Sequence, residues 1–123
     1  MTNFSFISAE WRPLQQTLVD AEQQVFAAPA YTAVLCRKSL EEWVRWLYEN
    51  DVDLELPNYD SSLNTLMFEK CFKDLLSENL LKQANLVRKL GNDAVHTNLK
   101  VKPAEALHVL KIMHGLASWV IRL

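Results

Sequence analysis

Arg88, Asn92 and His96 follow one another at four-residue spacing in the stretch RKLGNDAVH. On a helix that spacing lines side chains along one side. Arginine grips an oxyanion through two parallel N–H groups, and histidine exchanges a proton near neutral pH. The pair could therefore cleave RNA, with Arg88 steadying a phosphate and His96 acting as general acid and base. The same stripe, joined by Arg37 and Glu41, could instead form a half-buried polar network that fixes helix register without chemistry. The network is the expectation adopted here, with no catalytic residue assigned and Arg88 and His96 as the catalytic alternative.

Gly91 is the reason to expect these residues to meet. It lies near the centre of the apolar face of its helix, where glycine costs roughly 1 kcal/mol of helix propensity relative to alanine. A second helix passing close by would explain it. At 100° per residue Arg88 falls about 40° from Ala84, Asn92 about 80° and His96 about 120°, so the stripe turns outward along the helix. Arg37 and Glu41 are the charged residues on the inner face of an earlier helix and can pair at i,i+4. Packing the two helices would join Arg37, Glu41, Arg88, Asn92 and His96 in one polar cluster.

Periodicity supplies the elements that must hold them. A first helix is expected from Ser8, or from Arg12 if Pro13 sets its first turn. Its stripe is Trp11, Leu14, Leu18, Ala21 and Val25, and Pro29 ends it. A second helix spans about Ala30 to Asn50, with Ala33, Val34, Arg37, Leu40, Glu41, Val44, Leu47 and Tyr48 inward and Trp43 and Trp46 widening the apolar surface. The acidic stretch NDVDLELPNYD is a connection. Ser61 or Ser62 caps a short helix carrying Leu63, Leu66 and Met67, which FEKCFKDLL continues. Ser77 caps a long helix to about His96, with Leu80, Ala84, Val87, Gly91, Ala94 and Val95 on the core side. Pro103 opens the last helix, with Ala106, Leu107, Leu110, Met113, Ala117 and Val120 inward. The fold class is all-α: an antiparallel bundle of four main helices plus a short insert helix, in a single domain over residues 1–123.

Composition narrows the function classes. The 123 residues carry a formal net charge of -2 and only two glycines. That balance does not suit a nucleic-acid platform. Cys36 and Cys71 read as free thiols in a reducing, cytoplasmic setting. The histidines show no metal-ligand grouping, so no metal and no cofactor are expected. His108 and His114 read as surface or edge residues, and the tryptophans as core rather than base-stacking platforms. Neither a signal peptide nor a membrane span is expected from these residues. The end of the sequence, WVIRL, falls on an apolar helix face, as expected for the N-terminal domain of a longer chain.

AVLCRKSLEEWVRWLYEN, RKLGNDAVH and a proline-started helix with ALHVL together resemble a helical domain of the HEPN superfamily. The resemblance is nearer to the version at the N-terminus of type I restriction enzyme R (motor) subunits, whose opening also resembles NFSFISAEWRPL. It covers nearly the whole chain, and Arg37, Glu41, Asn92 and His96 match the positions its pattern marks. HEPN ribonucleases resemble one another in an arginine followed, after four to six residues, by a histidine. Here seven residues separate Arg88 from His96. Lys89 restores the spacing but cannot bind bidentately. The resemblance thus implies an accessory, interaction-type domain of a restriction-like DNA translocase that defends against foreign DNA. Its partners would be other domains of the parent chain or methyltransferase and specificity subunits, with DNA reached through the parent protein. The alternative is a HEPN-type ribonuclease of a toxin or phage-defence system, acting as a homodimer. The sequence has no GxxxxGK[ST] loop and no nuclease-type carboxylate–lysine constellation, so neither ATP hydrolysis nor DNA cleavage is expected of it.

Overall fold

Proline and hydroxyl residues punctuate the chain. In the computed structural model, residues 4, 12–50, 54–57, 62–96 and 100–121 are described. They form α1 (Arg12–Gln23), α2 (Pro29–Asn50), α3 (Leu63–Phe68), α4 (Lys70–Leu75), α5 (Glu78–His96) and α6 (Pro103–Ile121). No strand occurs among the described residues, and residues 54–57 run irregularly. No helix is long and apolar enough to cross a membrane. The expected start at Ser8 and the place of Trp11 lie outside the described residues.

The caps are local and follow residue type. Ser62 Oγ accepts from the Thr65 N–H at 3.4 Å, and Ser77 Oγ accepts from the Leu80 N–H at 3.2 Å. Pro103 occupies the first position of α6, where its missing N–H leaves no bond unmade. Glu105 reaches back to accept from the Lys102 N–H at 3.0 Å, the return half of a capping box. Pro29 likewise begins α2 rather than ending α1, which stops at Gln23. Thr32 then ties the two helices, its buried hydroxyl donating to the Ala21 carbonyl at 2.7 Å.

The insert differs from one short helix. Glu69 adopts extended backbone (φ -64°, ψ 141°) and divides it into α3 and α4. The residue types around Glu69 give no sign of this break. It leaves Phe68 44% exposed while Phe72 is fully buried. Phe72 stacks on Tyr48 with ring centroids 5.9 Å apart and meets the edge of Trp43 at 6.4 Å. The Tyr48 hydroxyl donates to the Leu66 carbonyl at 2.6 Å, so the phenol is buried without stranding its polar end.

α2 is the central element: it packs most extensively on α5 and also on α1 and α6. Trp43, fully buried, lies 5.9 Å from Trp119 of α6. The α2–α5 crossing is close because Gly91 makes it so. A Cβ there would overlap Arg37 Cβ and lie 3.0 Å from Arg37 Cδ and 3.1 Å from the Ala33 carbonyl oxygen. The N-terminal end of α2 meets the C-terminal end of α5, with Ala30, Ala33, Leu90 and Ala94 in one small apolar cluster.

Two inward assignments are corrected. Val95 is 55% exposed, although its angle on α5 is close to that of Ala84. It stands one turn beyond Gly91, level with the first turn of α2, where little helix remains to cover it. Leu107 is 36% exposed on the rim of a shallow groove shared with Phe4, Glu22 and Lys111. Val34 is only half-buried, whereas Leu35 and Cys36 are buried.

The two glycines should respond oppositely to alanine. Gly115 on α6 has nothing within 4 Å of an added Cβ. Gly115→Ala should stabilise by up to about 1 kcal/mol through helix propensity alone. Gly91→Ala gains the same propensity but forces the helices apart, and a net loss of about 1–2 kcal/mol is expected. Urea melts of the two variants beside the wild type check both signs.

Candidate functional site: a basic face at the crossing of two helices

Arg37 lies over Gly91, and this places its guanidinium beside α5. Its Nη1 stands 3.6 Å from Glu41 Oε2, and Arg45 Nη2 approaches Glu41 Oε1 at 3.2 Å. Arg45 Nε also donates to Glu41 Oε1 at 3.3 Å. Glu41 is thus shared by two arginines, one turn before it and one turn after. Arg45 lies outside the five residues expected to cluster, although the i,i+4 rule that pairs Arg37 with Glu41 also finds it. These pairs are about one-third exposed, which limits what they add to stability.

Arg88 takes different partners from those expected. It donates from Nε (3.0 Å) and Nη2 (2.9 Å) to Asn85 Oδ1, one turn earlier on α5. Its guanidinium carbon lies 5.9 Å from the centroid of the Phe68 ring. Lys73 Nζ lies 6.0 Å from the same centroid. Such placement favours the cation through the ring quadrupole. Partial burial, and then repulsion from Arg37, hold the Arg88 proton affinity below its ordinary value. Arg37 packs on Gly91, three residues after Arg88 on the same helix. No carboxylate is within ion-pair distance of Arg88 among the described residues, and Arg37 Nε is buried without a hydrogen-bond partner.

Of the five residues, then, Arg37 and Glu41 pair at the crossing, while Arg88, on α5 one turn before Gly91, bonds Asn85 instead. Asn92 is half-buried one residue past Gly91, with no side-chain hydrogen bond among the described residues. The side chain of His96 lies outside the described residues. His108 is exposed and lines a largely apolar groove of about 270 Å³ between α5 and α6, with Leu86, Leu90, Ala104 and Val109. His114 is exposed too, its ring 5.6 Å from that of Phe4. Trp46 and Trp119 are partly buried against the core that encloses Trp43, as their spacing suggests.

A family described as a domain of unknown function, DUF4145, matches residues 19–123. The chain belongs to the DUF4145 family. The match takes in all of α2 to α6, hence every residue of the basic face. No curated protein and no solved structure matches the DUF4145 chain.

Two groups on α2 offer direct checks of the geometry. Cys36 is buried and its thiol is pushed up to about 12 by burial, whereas Cys71 is partly accessible. A disulfide-exchange reagent at mild alkaline pH should label Cys71 first and Cys36 only on unfolding. Equal labelling rates in the folded chain would contradict this packing. Glu42 has a buried, unpartnered Oε2. Burial raises its pKa above the ordinary 4.5; Lys38 lowers it and Glu41 raises it further. The folded state therefore holds this proton more tightly than the unfolded one, and stability falls as pH rises from 4.5 through the raised value. Glu42→Gln should melt higher than wild type at neutral pH, with the advantage vanishing below pH 4.5.

Proposed function

We propose that this DUF4145 chain is an accessory, interaction-type domain of a restriction-like DNA translocase, akin to type I restriction enzyme R (motor) subunits and serving defence against foreign DNA. It packs on motor or nuclease domains of a parent chain, or docks that chain on methyltransferase and specificity subunits, in the cytoplasm. DNA is engaged by the parent protein. The observation that supports this reading is the setting of Arg88. Its Nε–Nη2 edge is held by Asn85 and its face by Phe68, on a partly exposed surface, so it is braced as an element of a surface. Glu41 is likewise held between Arg37 and Arg45. The sequence carries no phosphate-binding loop that would supply ATP chemistry.

One observation favours a second reading, a HEPN-type ribonuclease with Arg88 and His96 catalytic in a homodimer. Arg37 packs on α5 three residues from Arg88, so two arginines share this part of the helix, an arrangement that also suits a phosphate.

Purified chain should turn over neither ATP nor supercoiled DNA, and should leave single-stranded RNA intact. Mixed with the motor and methyltransferase polypeptides of a type I restriction system, it should co-sediment with at least one. RNA cleavage that disappears in both Arg88→Ala and His96→Ala, with their melting midpoints unchanged, would move the conclusion to the ribonuclease. Failure to co-sediment with any of those polypeptides would remove the interaction reading.

A further inference from the structure

The basic face has more positive charge than its own carboxylate can balance. Glu41 is divided between Arg37 and Arg45, and Arg88 finds only the neutral Asn85. Arg37 packs on Gly91, three residues from Arg88 on α5, so an anion held between the two side chains is attracted by both. Arg88 retains its Nη1 donors and one N–H of Nη2 after bonding Asn85, and the Arg37 side chain is about one-third exposed. Phe68, 44% exposed, lies beneath Arg88 and also has the Lys73 ammonium over its ring. Arginine beside an aromatic ring, half-open to solvent, is the composition that carries binding energy at protein interfaces.

We propose that Arg37 and Arg88, with Phe68 beneath Arg88 and Lys73 over the same ring, form a docking surface for an acidic segment of a partner protein. The partner supplies a glutamate or aspartate to the two guanidiniums and an apolar side chain to the Phe68 ring. Charge favours a peptide over a nucleic acid. The chain as a whole carries a net charge of -2, so a long polyanion meets repulsion beyond the patch. One or two carboxylates between apolar side chains do not. The face also joins three segments, since Arg37 is on α2, Phe68 and Lys73 are on α3 and α4, and Arg88 is on α5. It therefore exists only in the folded domain. This inference rests on the interaction reading above and names the chemistry of its partner.

The test uses the whole chain and three fluorescent probes: a short peptide alternating glutamate and leucine, the same peptide with lysine in place of glutamate, and an oligouridine of equal charge. Anisotropy at low salt should show binding of the acidic peptide alone, lost at high salt. Arg88→Gln should weaken it about tenfold. Lys73→Glu, a change at an exposed position outside the core, should weaken it at least about threefold. Glu41→Gln should tighten it, an effect that no merely structural role predicts. Binding of the lysine peptide as strong as that of the acidic one overturns the proposal. So does affinity that ignores both Arg88→Gln and Lys73→Glu, or tighter binding of the oligouridine, which would indicate phosphate recognition. If no acidic peptide binds yet the chain still co-sediments with the motor or methyltransferase polypeptide, this docking chemistry fails and the interaction reading stands. If both fail, the interaction reading falls with it.

Discussion

Everything at this surface depends on how closely α2 approaches α5. The absence of a side chain at Gly91 lets Arg37 Cβ and the Ala33 carbonyl rest against the α5 backbone. With that contact the apolar rows of both helices interlock, and Ala84 and Val87 are fully buried. It also decides where the charges go. Arg37 packs its stem on the α5 backbone at Gly91 and turns its guanidinium to Glu41. A crossing wider by one methyl group would separate the two arginines and loosen the core together. Packing and electrostatics are one constraint here.

The polar residues are then arranged to lower the cost of that proximity. Glu41 divides its two oxygens between arginines on either side, the Asn85 amide oxygen takes one edge of Arg88, and the Phe68 ring takes its face. None of these partners is deeply buried, and each contributes modestly. Their combined effect is to hold the guanidiniums in place without neutralising them. A face that is fixed yet under-neutralised suits recognition, because little ordering is left for binding to impose.

What the sequence reveals follows the range of each interaction. The caps at Ser62, Ser77 and Pro103, the inward rows of α2 and the glycine crossing all depend on residues within a turn or two, and each is legible. Glu41 with Arg45, and Arg88 with Asn85, are equally local at i,i+4 and i,i+3. They escape notice because attention to a four-residue stripe passes over the neighbours just beside it. Phe68 under Arg88 is different in kind, since it needs α3 folded against α5. Val95 and Leu107 fail for another reason. A helical wheel says which direction a side chain points but not where the neighbouring helix ends. The extended backbone at Glu69 has no marker of glycine or proline, so the periodic pattern of FEKCFKDLL reads straight through it.

The central place of α2 also shapes how the protein must be made. Its first neighbour, α1, precedes it, but α5 and α6 are synthesised only after the insert. At a translation rate of about 5–20 residues per second, α2 waits seconds for the chain that will cover it. Trp43, fully buried in the finished fold, has its Trp119 neighbour in the last helix described. A nascent chain still lacking α6 therefore presents an uncovered tryptophan face to the crowded exit of the ribosome. The early tie between Thr32 and the Ala21 carbonyl can form long before that. It would keep α1 folded back on α2 as a provisional hairpin, shielding part of the apolar surface until the closing helix arrives.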